Sequence, residues 1–236
     1  MYQAIPLSRI IQVFIIFLGG GIFFLILSFL ILRKNTHRLN FSICGFFIFI
    51  FLGGLFNVIY TLLTTHVDEN VVVGLHILTY IFFCLAQMFL LLFNLILWKS
   101  ENIFTLKKQL LVVGSYSGLL LVLFFIPGGV MINENTNYRP QWSLPFFIYA
   151  NIIWIGCAMI PALYTSLKIL RIFEDREIKK RWKIYMIGTV MIYIELFGVG
   201  VMILINDPFL RQIWNIYDVS VLIGAFFIYY GVVRQL

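Results

Sequence analysis

The sequence predicts an all-α integral membrane protein, a seven-helix bundle forming a single membrane domain over residues 1–236. Three observations predict it. Hydrophobic residues make up 62% of the chain and charged ones 11%, with mean hydropathy +1.00, whereas water-soluble domains carry roughly 25% charged residues. Seven apolar runs each reach the ~20 residues needed to cross a bilayer. The basic residues, finally, gather on alternate connections between those runs.

The first run, about 10–32, is too long for the core of a cleaved signal, and Arg33 and Lys34 follow it instead of preceding it. A retained first helix is expected. The second run, about 40–63, contains Gly53 and Gly54, which with Gly19, Gly20 and Gly21 read as close-packing or bending positions. The third is about 73–98 and the fourth about 107–126. The longest connection follows, PGGVMINENTNYRPQWSLP at 127–145, whose Pro, Gly and Asn predict turns and a short hairpin. It reads equally as a cap on a cavity or as a plain solvated loop.

The fifth run, about 145–172, holds Pro161, which should kink it unless neighbours satisfy the freed carbonyl. Helices five and six are expected to continue beyond the bilayer through IFEDREIKKRWK, 172–183. Arg176, Lys179, Lys180 and Arg181 there form a candidate docking surface for a cytoplasmic signalling partner, the plainer reading being a solvated face that meets anionic headgroups. The sixth run is about 181–206 and the seventh about 214–233, joined by a short link at Asp207 and Pro208. These two should be antiparallel neighbours.

Orientation follows from the rule that Lys and Arg stay on the cytoplasmic side. One side receives 14 of the 17, from Arg33 to Arg234, and the other only Arg9, Arg139 and Arg211. The N-terminus is expected outside and the C-terminus inside, in a multi-pass protein of the cell membrane. The net charge of +7 is therefore a topology signal, and nucleic acid is not an expected partner. The lipid bilayer is, and a homo-oligomer remains open.

With direction assigned, polar side chains can be placed in depth at ~1.5 Å per residue. Most gather in the outer half. Asn57 and Tyr60 come from helix two, His76 and Tyr80 from helix three, and Asn151 and Trp154 from helix five. Glu195 comes from helix six, and Tyr217 and Asp218 from helix seven. These nine are the candidate ligand-binding residues. Asn57, Gln87 and Asn94 read first as polar groups joining helices, and Tyr60, Tyr80, Tyr149, Trp154 and Trp214 first as an aromatic belt. Glu195 is the ionisable group set well inside the bilayer, where a charge costs ~2.5–3.5 kcal/mol on insertion scales. If Glu195 and Asp218 share a pocket, proton sensing or cation binding becomes available.

No catalytic residue set is legible, and no cofactor is expected. Three histidines and three cysteines show no ligand spacing, so no metal is expected. There is no phosphate loop and no nucleophile elbow.

Asp218-Val219-Ser220-Val221-Leu222-Ile223-Gly224 is similar to the helix-seven signature of microbial rhodopsins, Asp-Val-Ser-x-Lys-x-Gly. Leu222 stands where that family's lysine carries retinal, so no Schiff base can form there. Over nearly the whole chain the sequence resembles the seven-helix N-terminal sensor module of histidine-kinase-type signalling proteins. The resemblance rests on the basic turn LRKNTHR, the long fourth connection with Pro and Tyr, the run EDREIKKRWKIYMIG and the ending YYGVVRQL. It implies a receptor or sensor that binds a small, lipidic or cationic ligand in an outward cavity. In that family an output domain follows the last helix, and this chain stops at Leu236, so kinase output is not expected. A transporter would instead need a polar path continuing past Gln87 and Asn94. A structural subunit, including a retinal-free rhodopsin-like protein, would need no cavity.

Overall fold

A computed structural model describes residues 14, 17–34, 37–100 and 102–232. Arg9, Arg234, most of residues 10–16 of the first run and residue 233 of the seventh lie outside the described residues. The helices are α1 (Gly20–Lys34), α2 (Arg38–Leu63), α3 (Glu69–Lys99) and α4 (Leu106–Leu121). After the hairpin β1 (Val130–Met131) and β2 (Gln141–Trp142) come α5 (Leu144–Trp154), α6 (Ile160–Ile172), α7 (Arg176–Ile205), α8 (Pro208–Tyr217) and α9 (Ser220–Val232). Six spans are long and apolar enough to cross a membrane: α2, α3, α4 with its 3₁₀ extension to Phe125, α5–α6, α7, and α8–α9. The shorter apolar helix Phe17–Arg33 accompanies them. This is a multi-pass helical membrane protein.

The exposed surface of these helices is apolar, as a lipid solvent requires. Leu111 on α4 and Phe125 beyond it are 69% and 80% exposed, and Ile152 on α5 is 63% exposed. A soluble monomer rarely shows such continuous apolar surface.

Capping residues move several helix starts earlier than hydropathy alone suggests. Asp68 accepts from the Asn70 N–H at 2.8 Å and starts α3 at Glu69. Asp175 accepts from the Glu177 and Ile178 N–H groups at 2.7 and 2.9 Å and starts α7. Each such cap is worth about 1 kcal/mol. Hydropathy sees only the apolar stretch, while the cap defines where backbone donors are first satisfied.

The seventh span corrects the sequence reading. It begins at Pro208, not 214, because Asp207 accepts from the Leu210 N–H at 2.8 Å and Pro208 suits the first helical turn. It is also two helices, not one. At Asp218–Val219 the ladder tightens to three-residue hydrogen bonds, Val221 N to Asp218 O and Leu222 N to Val219 O, both 3.1 Å. Asp218 therefore sits at a break in mid-span, further from the helix end than its place in a helix beginning at 214 suggested.

In the fifth span a π-turn, Ile155–Met159, joins α5 to α6, with the Ile160 N–H reaching back to Ile155 O. Pro161 follows at once. The wide turn absorbs the register that proline's missing N–H would otherwise disrupt.

α3 is the hub and packs on α2, α4 and α6, while α7 packs on α9 and α1 on α2. The hairpin pairs Val130 with Trp142 and Met131 with Gln141. Asn133 Nδ2 donates to Glu69 Oε1 at 3.2 Å and holds the connection over the start of α3. At the opposite end of the bundle, Trp182 Nε1 donates to Ser166 O at 2.9 Å and closes α7 on α6.

Candidate functional site

Glu195 and Asp218 share one cavity. Its volume is about 190 Å³, and Asn57, Tyr60, His76 and Tyr80 line it with them. Each wall follows from helical spacing. On α3, His76, Tyr80, Phe83 and Gln87 recur at intervals of four, three and four, which is one helix face. On α7, Ile192, Glu195, Val199 and Met202 recur at intervals of three, four and three, and on the last span Arg211, Trp214, Asp218 and Val221 do so across the break. The hairpin lines one end with Arg139, Pro140 and Trp142.

Trp142 is the keystone of that end. Its indole Nε1–H donates to His76 Nε2 at 2.9 Å, with both residues buried. The accepting nitrogen must carry no proton, so the His76 ring proton sits on Nδ1. Tyr80 meets the Trp142 ring edge-on at 5.0 Å, and Tyr60 meets His76 edge-on at 5.3 Å. Arg211 ties the rim together. Its Nη2 donates to Pro140 O at 2.6 Å on the hairpin, and its Nε to Met202 O at 3.3 Å near the end of α7. A cation there also meets the negative end of the helix dipole.

The Glu195 carboxyl interacts with the Asp218 carboxyl, and Trp214 lies beside it. Trp214 reaches this position across Gly198, where any Cβ would collide with the indole. Glu195 is 6% exposed and Gln87 2% exposed. Glu195 Oε2 and Gln87 Oε1 are buried acceptors with no hydrogen-bond partner among the described residues.

Three nominated residues lie elsewhere. Asn151 donates to Phe147 O on its own helix at 2.8 Å, so its polarity is spent locally. Trp154 is fully buried against Tyr193, at 5.9 Å between rings, in the packed core. Tyr217 packs on Trp214 at 4.9 Å and does not reach the cavity. Span five turns its polar face away from the cavity, which depth alone could not reveal. The residues that the reading missed are Gln87, Trp142, Arg139 and Arg211. Gln87 was findable from its spacing to His76 and Tyr80. Trp142 was not, since only the hairpin register turns it inward.

Past Gln87 the cavity ends and Asn94 is committed elsewhere. Its Nδ2 donates to Ala162 O at 3.0 Å and Ser166 Oγ at 2.9 Å, and its Oδ1 accepts from Tyr185 OH at 2.8 Å. At that far end Arg176 and Lys180 are exposed and Lys179 and Arg181 half-buried, on the first turns of α7. No group of three His, Cys, Asp or Glu suited to a metal ion exists among the described residues. No family model, curated protein or solved structure matches the chain.

Proposed function

We propose that the protein is a seven-span receptor or sensor of the cell membrane, with the hairpin end outside and the C-terminus in the cytoplasm. Orientation is supported by the 14 of 17 Lys and Arg assigned to the opposite side. The observation that carries the receptor reading is the cavity itself. It draws polar groups from four spans and places two carboxyls at helix faces that would otherwise be apolar. Such residues inside a membrane mark ligand or ion paths.

A receptor is favoured over a transporter because the polar lining stops at Gln87, and Asn94 beyond it is fully engaged. Ligand contact at Glu195 and Asp218 bears on α7 and on the break between α8 and α9. α7 carries any shift to Arg176, Lys179, Lys180 and Arg181, where a cytoplasmic partner would read it.

The test is thermal unfolding of the protein in lipid nanodiscs with a panel of small neutral, anionic and cationic compounds. A ligand at ~100 times its Kd adds about 2.7 kcal/mol to the folded state. At least one compound is expected to raise the melting temperature, and Val199→Phe, which fills the cavity, is expected to abolish the effect. Failure of every compound, or equal stabilisation of Val199→Phe, would contradict the reading.

A further inference from the structure

We propose that the ligand of this cavity is a small protonated amine that donates N–H bonds to Glu195 and Gln87. The proposal rests on the cavity being a ligand site and names the chemistry that the site selects.

The buried polar atoms set the demand. Gln87 Oε1 and Glu195 Oε2 both line the cavity, both belong to residues at least nine-tenths buried, and neither has a partner among the described residues. Both are acceptors. An occupant that brings only acceptors, such as a carboxylate or a ketone, would leave them unsatisfied at about 1–3 kcal/mol each. An occupant rich in donors satisfies them. The Asp218 carboxyl interacts with Glu195 and brings a second acid to the same wall, where an ammonium placed beside the pair is favoured over a neutral donor.

The walls agree with the floor. Tyr60, Tyr80, Phe83, Trp142 and Trp214 surround the space, and aromatic faces attract cations while tolerating an alkyl chain. The cavity's own arginines sit at the hairpin end, where Arg211 is directed at the Pro140 and Met202 carbonyls. Positive groups thus line the mouth and acids the interior. A metal ion is a poorer fit, because no three-ligand cluster exists among the described residues. A volume of about 190 Å³ falls below the ~300–1,000 Å³ of sites for drug-sized ligands. It suits a short alkylammonium or the amine headgroup of a phospholipid.

The experiment compares n-butylammonium, n-butyltrimethylammonium and n-butanol, each added to the protein in phosphatidylcholine nanodiscs, with thermal unfolding as readout. A parallel arm uses phosphatidylethanolamine nanodiscs without additive. n-Butylammonium is expected to stabilise. The trimethyl analogue, a cation without N–H donors, should bind at least tenfold more weakly, and n-butanol should have no effect. Glu195→Gln and Gln87→Leu, each compared with its own unliganded melt, should weaken n-butylammonium at least tenfold. Two substitutions guard against one of them failing to fold.

Stabilisation by the free amine, lost in either variant, supports the proposal with a soluble ligand. Stabilisation by phosphatidylethanolamine discs, lost in the same variants, supports it with a headgroup. Equal binding of n-butanol or of the trimethyl analogue, or binding unchanged in both variants, overturns it. If only neutral or anionic compounds of the wider panel bind, the amine proposal falls and the ligand-site reading survives. If no compound of any class binds, both fall.

Discussion

Gly188→Ala in α7 is expected to destabilise the protein by about 1–3 kcal/mol, while Gly114→Ala in α4 should stabilise it by about 0.5–1 kcal/mol. The chemical change is identical and only the surroundings differ. A Cβ on Gly188 would strike the carbonyl oxygen of Gly224, and it would lie 2.8 Å from Phe227 Cβ and 3.0 Å from Ile228 N. Two of these three atoms are backbone and cannot rotate aside, so α7 and α9 must part. Small residues permit this backbone contact, which membrane helices use in place of a hydrophobic driving force. At Gly114 a Cβ meets nothing within 4 Å, and the methyl only removes backbone freedom from the unfolded chain. Unfolding in nanodiscs should show shifts of opposite sign. Equal shifts would mean that the α7–α9 contact is looser than described.

Asn94→Leu is the second large effect, with an expected loss of roughly 2 kcal/mol, since one buried partner left unsatisfied costs about 1–3 kcal/mol. The side chains are close in size, so packing changes little and the loss reports hydrogen bonds. Leucine strips Tyr185 OH of its Asn94 acceptor and Ser166 Oγ of its donor, in a region where Phe93, Trp182 and Tyr185 exclude water. Ala162 O keeps the Thr165 hydroxyl at 3.0 Å and is spared. Tyr185→Phe removes one of these bonds alone and should cost about 1 kcal/mol. If both variants unfold together, Asn94 is a spectator. The Asn94 node also lies between the cavity and the basic end.

The spans were legible because lipid demands long apolar runs, and no side-chain detail changes that. Their ends were less so. The starts at Glu69, Arg176 and Pro208 depend on single capping carboxylates at Asp68, Asp175 and Asp207, which are local hydrogen-bond events that hydropathy averages away. The break at Asp218–Val219 left no sequence mark such as a proline or glycine. The hairpin was foreseeable from Pro, Gly and Asn content, but its register, Val130 with Trp142, is what sends an indole to His76.

In the candidate site, depth brought Asn57, Tyr60, His76, Tyr80, Glu195 and Asp218 to one level, where the structure gathers them around one cavity. Depth says nothing about azimuth. Asn151 and Trp154 therefore belong to the right level and the wrong face. Gln87 shows the remedy, since its spacing from His76 already placed it on the lining face.

The proposed receptor requires a cavity that is reachable from the hairpin end and closed towards the basic end, and side-specific labelling of Gln87→Cys tests this most directly. In oriented membranes, a charged membrane-impermeant thiol reagent should modify this residue from the hairpin side and not from the basic side. The native Cys44 and Cys84 are buried, and the half-buried Cys157 is replaced by serine so that the background stays unreacted. Modification from the hairpin side alone is the expected result. Modification from both faces would contradict the closed inner end and indicate a transport path, and modification from neither would show a dry, packed bundle with no receptor cavity.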